Sequence, residues 1–214
     1  LASSGKYILP RIWYTFQYTD PVAGTGYSKA VSVLFCMEEA LLNRAEAYVM
    51  KMQEDPSALD SALADMNMYA SNLFSSGFTP MTEESIKKWA TEPYPNYSDL
   101  YVGKTSETSP QTLNPKKKLF APPYNALEKG GTQESMLQAL LFMRRYQFLH
   151  EGMRWFDTRR FGITVYRYTL DEDDETVLQI TDQISDEDGT PDPRRALQLP
   201  SDVIAAGLTP NPRN

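Results

Sequence analysis

This 214-residue chain has one cysteine, one histidine and no long apolar run. A single cysteine, Cys36, excludes an intrachain disulfide. It heads an apolar helical pattern with no histidine close by in sequence. It therefore reads as a buried, inert thiol and not as a nucleophile. His150 is the sole histidine, which leaves no nucleophile triad or metal set of the usual kinds. A Gly-x-Ser-x-Gly elbow and a phosphate loop are both missing. No stretch approaches the ~20 apolar residues of a membrane-spanning helix. Leu1-Ala2-Ser3-Ser4 has neither the basic start nor the apolar run of a signal peptide.

Positive charge is also short. There are 21 Lys and Arg against 28 Asp and Glu, a net charge of −7. A protein that tracks nucleic-acid phosphates needs a basic face, so no nucleic-acid partner is expected. The only basic run, Lys116-Lys117-Lys118, lies among prolines and reads as a solvated loop.

What is present is enough for a core: 41% of residues are hydrophobic. Aromatics make up 12%, with 13 Tyr, which suits surfaces that pack on sugars or protein as well as interior filling. Alternation over Ile12 to Tyr18 predicts an extended segment followed by a turn. Met37, Leu41, Ala45, Tyr48 and Met52 recur at helical steps and predict a first helix over about 34–52. Asp55-Pro56-Ser57 ends it and caps a second helix over about 58–74. The pair spans about 40 residues, close to the ~34-residue tetratricopeptide unit, and one unit cannot bury both faces alone. Thr82 caps a short helix reaching Trp89. Residues 91–131 are irregular and Pro-rich. A helix with Thr132 as its cap follows, continuing towards residue 160 and acting as a partner for the pair. Two strands, 163–170 and 176–184, are joined by the acidic run 171–175. The last 25 residues read as coil wrapping the helices. The fold class is mainly α: a tetratricopeptide-like helical repeat scaffold with long ordered loops and a small β-hairpin.

The chemistry is thin. Asp186, Asp188 and Gly189 fill three positions of a calcium loop, but its first and last ligands are missing, so no metal is expected. Adjacent carboxylates such as Glu38/Glu39 point apart on a helix. Two carboxylates distant in sequence would suffice for a glycoside hydrolase, which stays open as an alternative. Trp89, Tyr94, Tyr97 and Tyr101 are the ligand-binding candidates, because sugar rings stack on aromatic rings. Glu151, Arg154 and Asp157, at steps of three, predict a charge ladder on one helix face. A core of Leu41, Ala45, Tyr48, Leu63, Met66, Leu137, Leu140, Leu141 and Trp155 is expected.

Three stretches carry a resemblance. The first runs from Arg144 to Gly162 and matches Arg144, Arg145, Glu151, Gly152, Arg154, Trp155, Asp157 and Arg159 to a helix of the form Arg-Arg-x-Glu-Leu-x-x-Glu-Gly-x-Arg-Trp-x-Asp-Leu-Arg-Arg. Gln147-Phe148 replaces its Glu-Leu, and Met143 stands where an acid is common. The second, Glu39-Ala40-Leu41-Leu42-Asn43-Arg44-Ala45-Glu46-Ala47-Tyr48 followed by Ala62 to Asn67, is similar to another helix pair of the same family. The third is Gln198-Leu199-Pro200 to Ile204 with Asn211-Pro212. Together, over roughly residues 35–214, they resemble the C-terminal half of the SusD/RagB outer-membrane nutrient-binding lipoproteins. Cys36 departs from the family, which often has an arginine there.

The resemblance implies one C-terminal domain, residues 1–214, of a longer chain whose lipid anchor lies elsewhere. It implies a surface-exposed lipoprotein of the outer membrane with no cofactor and no catalysis. Such a protein captures a nutrient, an oligosaccharide foremost, and closes as a lid on a SusC-like TonB-dependent transporter. It also implies that the signature helix is scaffold. A helical-repeat scaffold for protein or peptide is the alternative of a different class.

Overall fold

The computed structural model describes residues 2–3, 6–7, 13–31, 33–73, 76–92, 101–102, 112–113, 118–122, 124–149, 151–170 and 177–213. Two hairpins come first. β1 (Ala2–Ser3) pairs with β2 (Lys6–Tyr7), and β3 (Trp13–Asp20) pairs antiparallel with β4 (Thr25–Val31). Asp20 builds the second turn: its Oδ1 accepts from the Val22 and Ala23 amides at 2.9 and 3.0 Å. Phe16 and Tyr18 meet edge to face at 4.9 Å on the face that Gly26 shares. A Cβ on Gly26 would come within 2.8 Å of the Phe16 ring. Every residue from Thr15 to Ala30 is exposed.

The helices form the core. α1 (Met37–Lys51) and α2 (Ala58–Leu73) fold back on each other across a short turn. Ala45 and Ala62, both fully buried, let them approach. Asp55, not Ser57, organises the turn. Its Oδ1 accepts from the Ser57 amide at 3.1 Å and from the Ser57 hydroxyl at 2.6 Å. α3 (Glu83–Thr91) opens with a capping box in which Thr82 and Ser85 bond each other's amides, as the sequence predicts for Thr82. Two short strands, β5 (Tyr101–Val102) and β6 (Thr112–Leu113), pair next. α4 (Thr132–Gln147) packs on both α1 and α3 and is buried on most of its surface. α5 (Arg154–Phe161) follows, then the hairpin of β7 (Val165–Leu170) and β8 (Val177–Ile184). α6 (Ser201–Ala205) lies in the C-terminal coil, where the sequence predicts no helix. The architecture is thus mainly α with antiparallel two-stranded hairpins, more of them than the one expected.

Ala45, Met66, Leu137, Leu140 and Leu141 are buried in one cluster as expected, with Leu41, Tyr48 and Leu63 packed partly buried against it. Three expectations change. The buried face of α1 is Leu42, Ala45, Glu46 and Val49, while Met37 is 81% exposed. The stripe that periodicity picks out is mixed: Ala45 is fully buried, Leu41, Tyr48 and Met52 pack partly buried against the core, and Met37 faces water. Trp155 is only half-buried and outside the cluster. Cys36 is half-buried at the α1 N-cap position.

The signature stretch is not one helix. α4 ends at Gln147, residues 148–149 and 151–153 lie in turns and bends, and α5 starts at Arg154. Gly152, at φ +77°, supplies the left-handed backbone of that break. The α4 N-cap is Gly131, because the Thr132 hydroxyl donates instead to Glu83 Oε1 at 2.6 Å. Gly162 ends α5 at φ +65°, and a Cβ there would lie 2.6 Å from the Ala121 amide nitrogen. That amide and the amide of Phe120 both donate to the Phe161 carbonyl. Close backbone approach and positive φ both require glycine here.

Candidate functional site

Two features stand out: a buried polar brace and an aromatic groove. The brace joins three helices. Arg144 on α4 is 4% exposed, and its Nε donates to Asp157 Oδ1 on α5 at 2.9 Å. Its Nη1 donates to Asn43 Oδ1 on α1 at 2.7 Å, and its guanidinium stands 5.4 Å from the Phe148 ring centroid. Beside it Glu46 on α1 pairs with Arg160 on α5 and accepts from the Tyr124 hydroxyl at 3.1 Å. Burial alone would lower the Arg160 pKa, but Glu46 and Tyr124 outweigh it and hold the cation above its usual range. Burial raises the Tyr124 phenol, and Glu46 adds to that. Arg44 on α1 forks onto Asp65 on α2 at 2.8 and 2.7 Å, which raises its pKa further. Arg195 closes the C-terminal coil. It donates to Asp186 Oδ1 at 2.8 Å and to the carbonyls of Thr158 and Ile163 at 3.1 and 2.9 Å.

The predicted ladder is replaced by this arrangement. Asp157 is paired across the helix break with Arg144, not along one helix with Arg154. Glu151 sits in a bend outside α5, so steps of three no longer align it. Arg154 Nη1 is buried with no hydrogen-bond partner. Burial pushes the Arg154 guanidinium below its usual range, Asp157 opposes this, and Arg145 and Arg144 add to it. Arg145 and Arg159 point to solvent and Trp155 is half-buried.

The groove, of about 680 Å³, lies between α2, α3 and α4. That is within the range of about 300–1,000 Å³ typical of small-ligand sites. Trp89 of α3 faces Phe142 of α4 with ring centroids 5.5 Å apart and planes at 58°. Tyr146, one turn on, stands 65% exposed at the rim. Phe78 and Leu73 complete the walls and Tyr69 lies at the base. The Tyr69 hydroxyl donates to Gln147 Oε1 at 3.0 Å, which fixes that ring. Among the described residues, no charged side chain lines the groove. The Ser85 hydroxyl at its edge is engaged in the α3 capping box. Such a surface offers flat ring faces with few donors, and it suits an uncharged ligand with an apolar face.

Of the four ligand candidates, Trp89 is in this groove. Tyr94 and Tyr97 lie outside the described residues. Tyr101 is in β5, register-paired with Leu113. Phe142 and Tyr146, which also line the groove, are not among the sequence candidates. Ala139, Phe142, Met143 and Tyr146 form their own i, i+3, i+4, i+7 seam on α4, a signal hidden by that helix being apolar nearly all round. Among the described residues no group of three or more His, Cys, Asp or Glu is placed to hold a metal ion. No helix among them is long and apolar enough to cross a membrane. No family model matches the chain, and neither a curated protein nor a solved structure matches it.

Proposed function

We propose that this chain is the C-terminal part of a SusD/RagB-like nutrient-binding lipoprotein of the outer membrane. It captures an oligosaccharide on a tetratricopeptide-like scaffold, without catalysing its breakdown, and passes it to a SusC-like TonB-dependent transporter. One observation carries the reading. Asn43 and Glu46, from one stretch that resembles the family, bond Arg144 and Arg160 from the other. The two stretches, about a hundred residues apart in the chain, thus bond each other at two places in the fold. A network of this kind has a physical role, since each buried charge needs its partner.

In this reading the brace is scaffold, and Trp89, Phe142 and Tyr146 face the ligand. Pyranose rings lay their C–H faces on aromatic rings, and the uncharged lining favours neutral sugars over uronates. The test is a glycan array followed by calorimetry on the full-length lipoprotein, with Trp89→Ala as the groove variant. Binding of a neutral oligosaccharide that Trp89→Ala weakens about tenfold or more supports the reading. Hydrolysis of the glycan by the purified protein, or absence of any large barrel protein after mild-detergent purification from native membranes, overturns it.

A further inference from the structure

We infer that Asn67 is a positioning residue for the aromatic groove: its side-chain amide fixes where the wall carrying Trp89 begins, and so how wide the groove stands. Asn67 lies on α2 and closes the Ala62–Asn67 stretch. Its Nδ2 donates to the Met81 carbonyl at 2.9 Å, and its Oδ1 accepts from the Met81 amide at 2.7 Å. One planar side chain thus holds both backbone groups of a single residue, using one donor and one acceptor of its amide. Rotating the amide end for end would set donor on donor and acceptor on acceptor, so only this orientation closes the clamp.

Met81 is the point at which such a clamp acts on the groove. It lines the groove and directly precedes Thr82, the cap of α3. Between Asn67 and Met81, 14 positions apart, the chain leaves α2, and Gly77, Phe78 and Thr79 of that excursion also line the groove. Tying the two ends together removes conformational freedom from everything between them. α3 itself packs on α4, through the Thr132 hydroxyl on Glu83 at 2.6 Å and through Trp89 on Phe142. Those contacts set α3 against α4. Asn67 sets its start against α2, on the other side of the groove. Trp89 stands about 10 Å along the helix from Thr82, so a shift or tilt where α3 begins is carried along a short rod to the ring. This role rests on the groove being the ligand site proposed above, but the place of the ring can be read with no ligand present.

The chain has three tryptophans, so labelling it with 5-fluorotryptophan gives three fluorine resonances, assigned by single Trp→Phe variants. Asn67→Ala is expected to shift or broaden the Trp89 resonance and to leave that of Trp155 in place. Ile163→Ala is the control: Ile163 is buried at 1% exposure and does not line the groove, so its truncation lowers the thermal midpoint without moving Trp89. Asn67→Asp separates hydrogen bonding from shape. Its carboxylate accepts from the Met81 amide but turns a second acceptor towards the Met81 carbonyl, whereas the protonated carboxyl again offers one donor and one acceptor. Its Trp89 resonance is therefore expected to differ from wild type at pH 7 and to rejoin it, compared at equal pH, as the carboxyl protonates near or above about pH 4. A Trp89 resonance unmoved by Asn67→Ala overturns the proposal. So does one that Ile163→Ala displaces equally, or one that stays displaced in Asn67→Asp at every pH. No ligand enters the measurement, so its failure is distinct from a failure to bind glycan.

Discussion

The helical core and the β3–β4 hairpin use similar residues to opposite ends. Both are rich in aromatics and carry charges. In the core, Arg144 and Asp157 are 4% and 2% exposed and bonded to each other, and Phe161 is fully buried. In the hairpin Phe16, Tyr18 and Tyr27 all face water. The core places three helices so that Arg144 meets Asp157 and Asn43, and Glu46 meets Arg160, each pair drawn from different helices. The hairpin has only its own ladder, and its strands pack extensively only on each other. An isolated two-stranded hairpin is marginal in water. Composition therefore says little about which aromatic is load and which is surface; the number of elements converging on it decides.

Substitutions can break that contrast, and the largest effect is expected at the brace. Asp157→Ala leaves Arg144 buried and unpaired and should cost about 3–5 kcal/mol in urea unfolding. Arg154→Ala should cost much less, because Arg154 makes no hydrogen bond to Asp157 in this fold. Equal losses from the two would mean that Asp157 pairs with Arg154 after all. Leu140→Ala, at 1% exposure in the centre of the cluster, should cost about 2–5 kcal/mol. A thermal midpoint unchanged by it would place α4 outside the core.

Gly162→Ala comes next. The left-handed backbone alone costs roughly 1–2 kcal/mol with an L side chain, and contact with the Ala121 backbone adds to that. An acid titration gives a smaller effect. Hydrogen bonds from Arg194 hold the Asp192 carboxyl well below its ordinary value of 3.8, at about 2. A folded value below the unfolded one adds stability that is whole above the unfolded value. That stability is lost as pH falls through about 2. Arg194→Met should therefore flatten the loss of stability across that acid window, read as thermal midpoint against pH. Phe16→Ala in the hairpin is expected to shift global stability by less than about 0.5 kcal/mol. A larger loss would show that the hairpin folds as part of the core.

Periodicity and punctuation made much of this legible. Thr82 as a cap, the α1–α2 pair and the β7–β8 strands all rest on local signals that tertiary packing left in place. The brace was legible only as composition. Counting steps of three from Glu151 assumed a continuous helix, and Gly152 breaks it. Once broken, Asp157 is free to meet Arg144, a contact no spacing rule describes. The groove was legible at Trp89 alone. Phe142 and Tyr146 sit on a helix that is apolar all round, where one seam cannot be told from another until its neighbours are placed. A helical period likewise took Met37 into the α1 stripe, although it faces water while the other members pack on the core.

The bond between Arg144 and Asn43 spans 101 positions of the chain. During synthesis, α1 and α2 leave the ribosome long before α4 exists. The helix pair is joined by a short turn and can associate early, because closing a short loop costs little entropy. Asn43 and Glu46 must then remain hydrated until α4 and α5 arrive. A chain with contacts of such separation folds late and comparatively slowly. The brace is thus a contact that the early helix pair cannot complete until the chain has been made as far as Arg160.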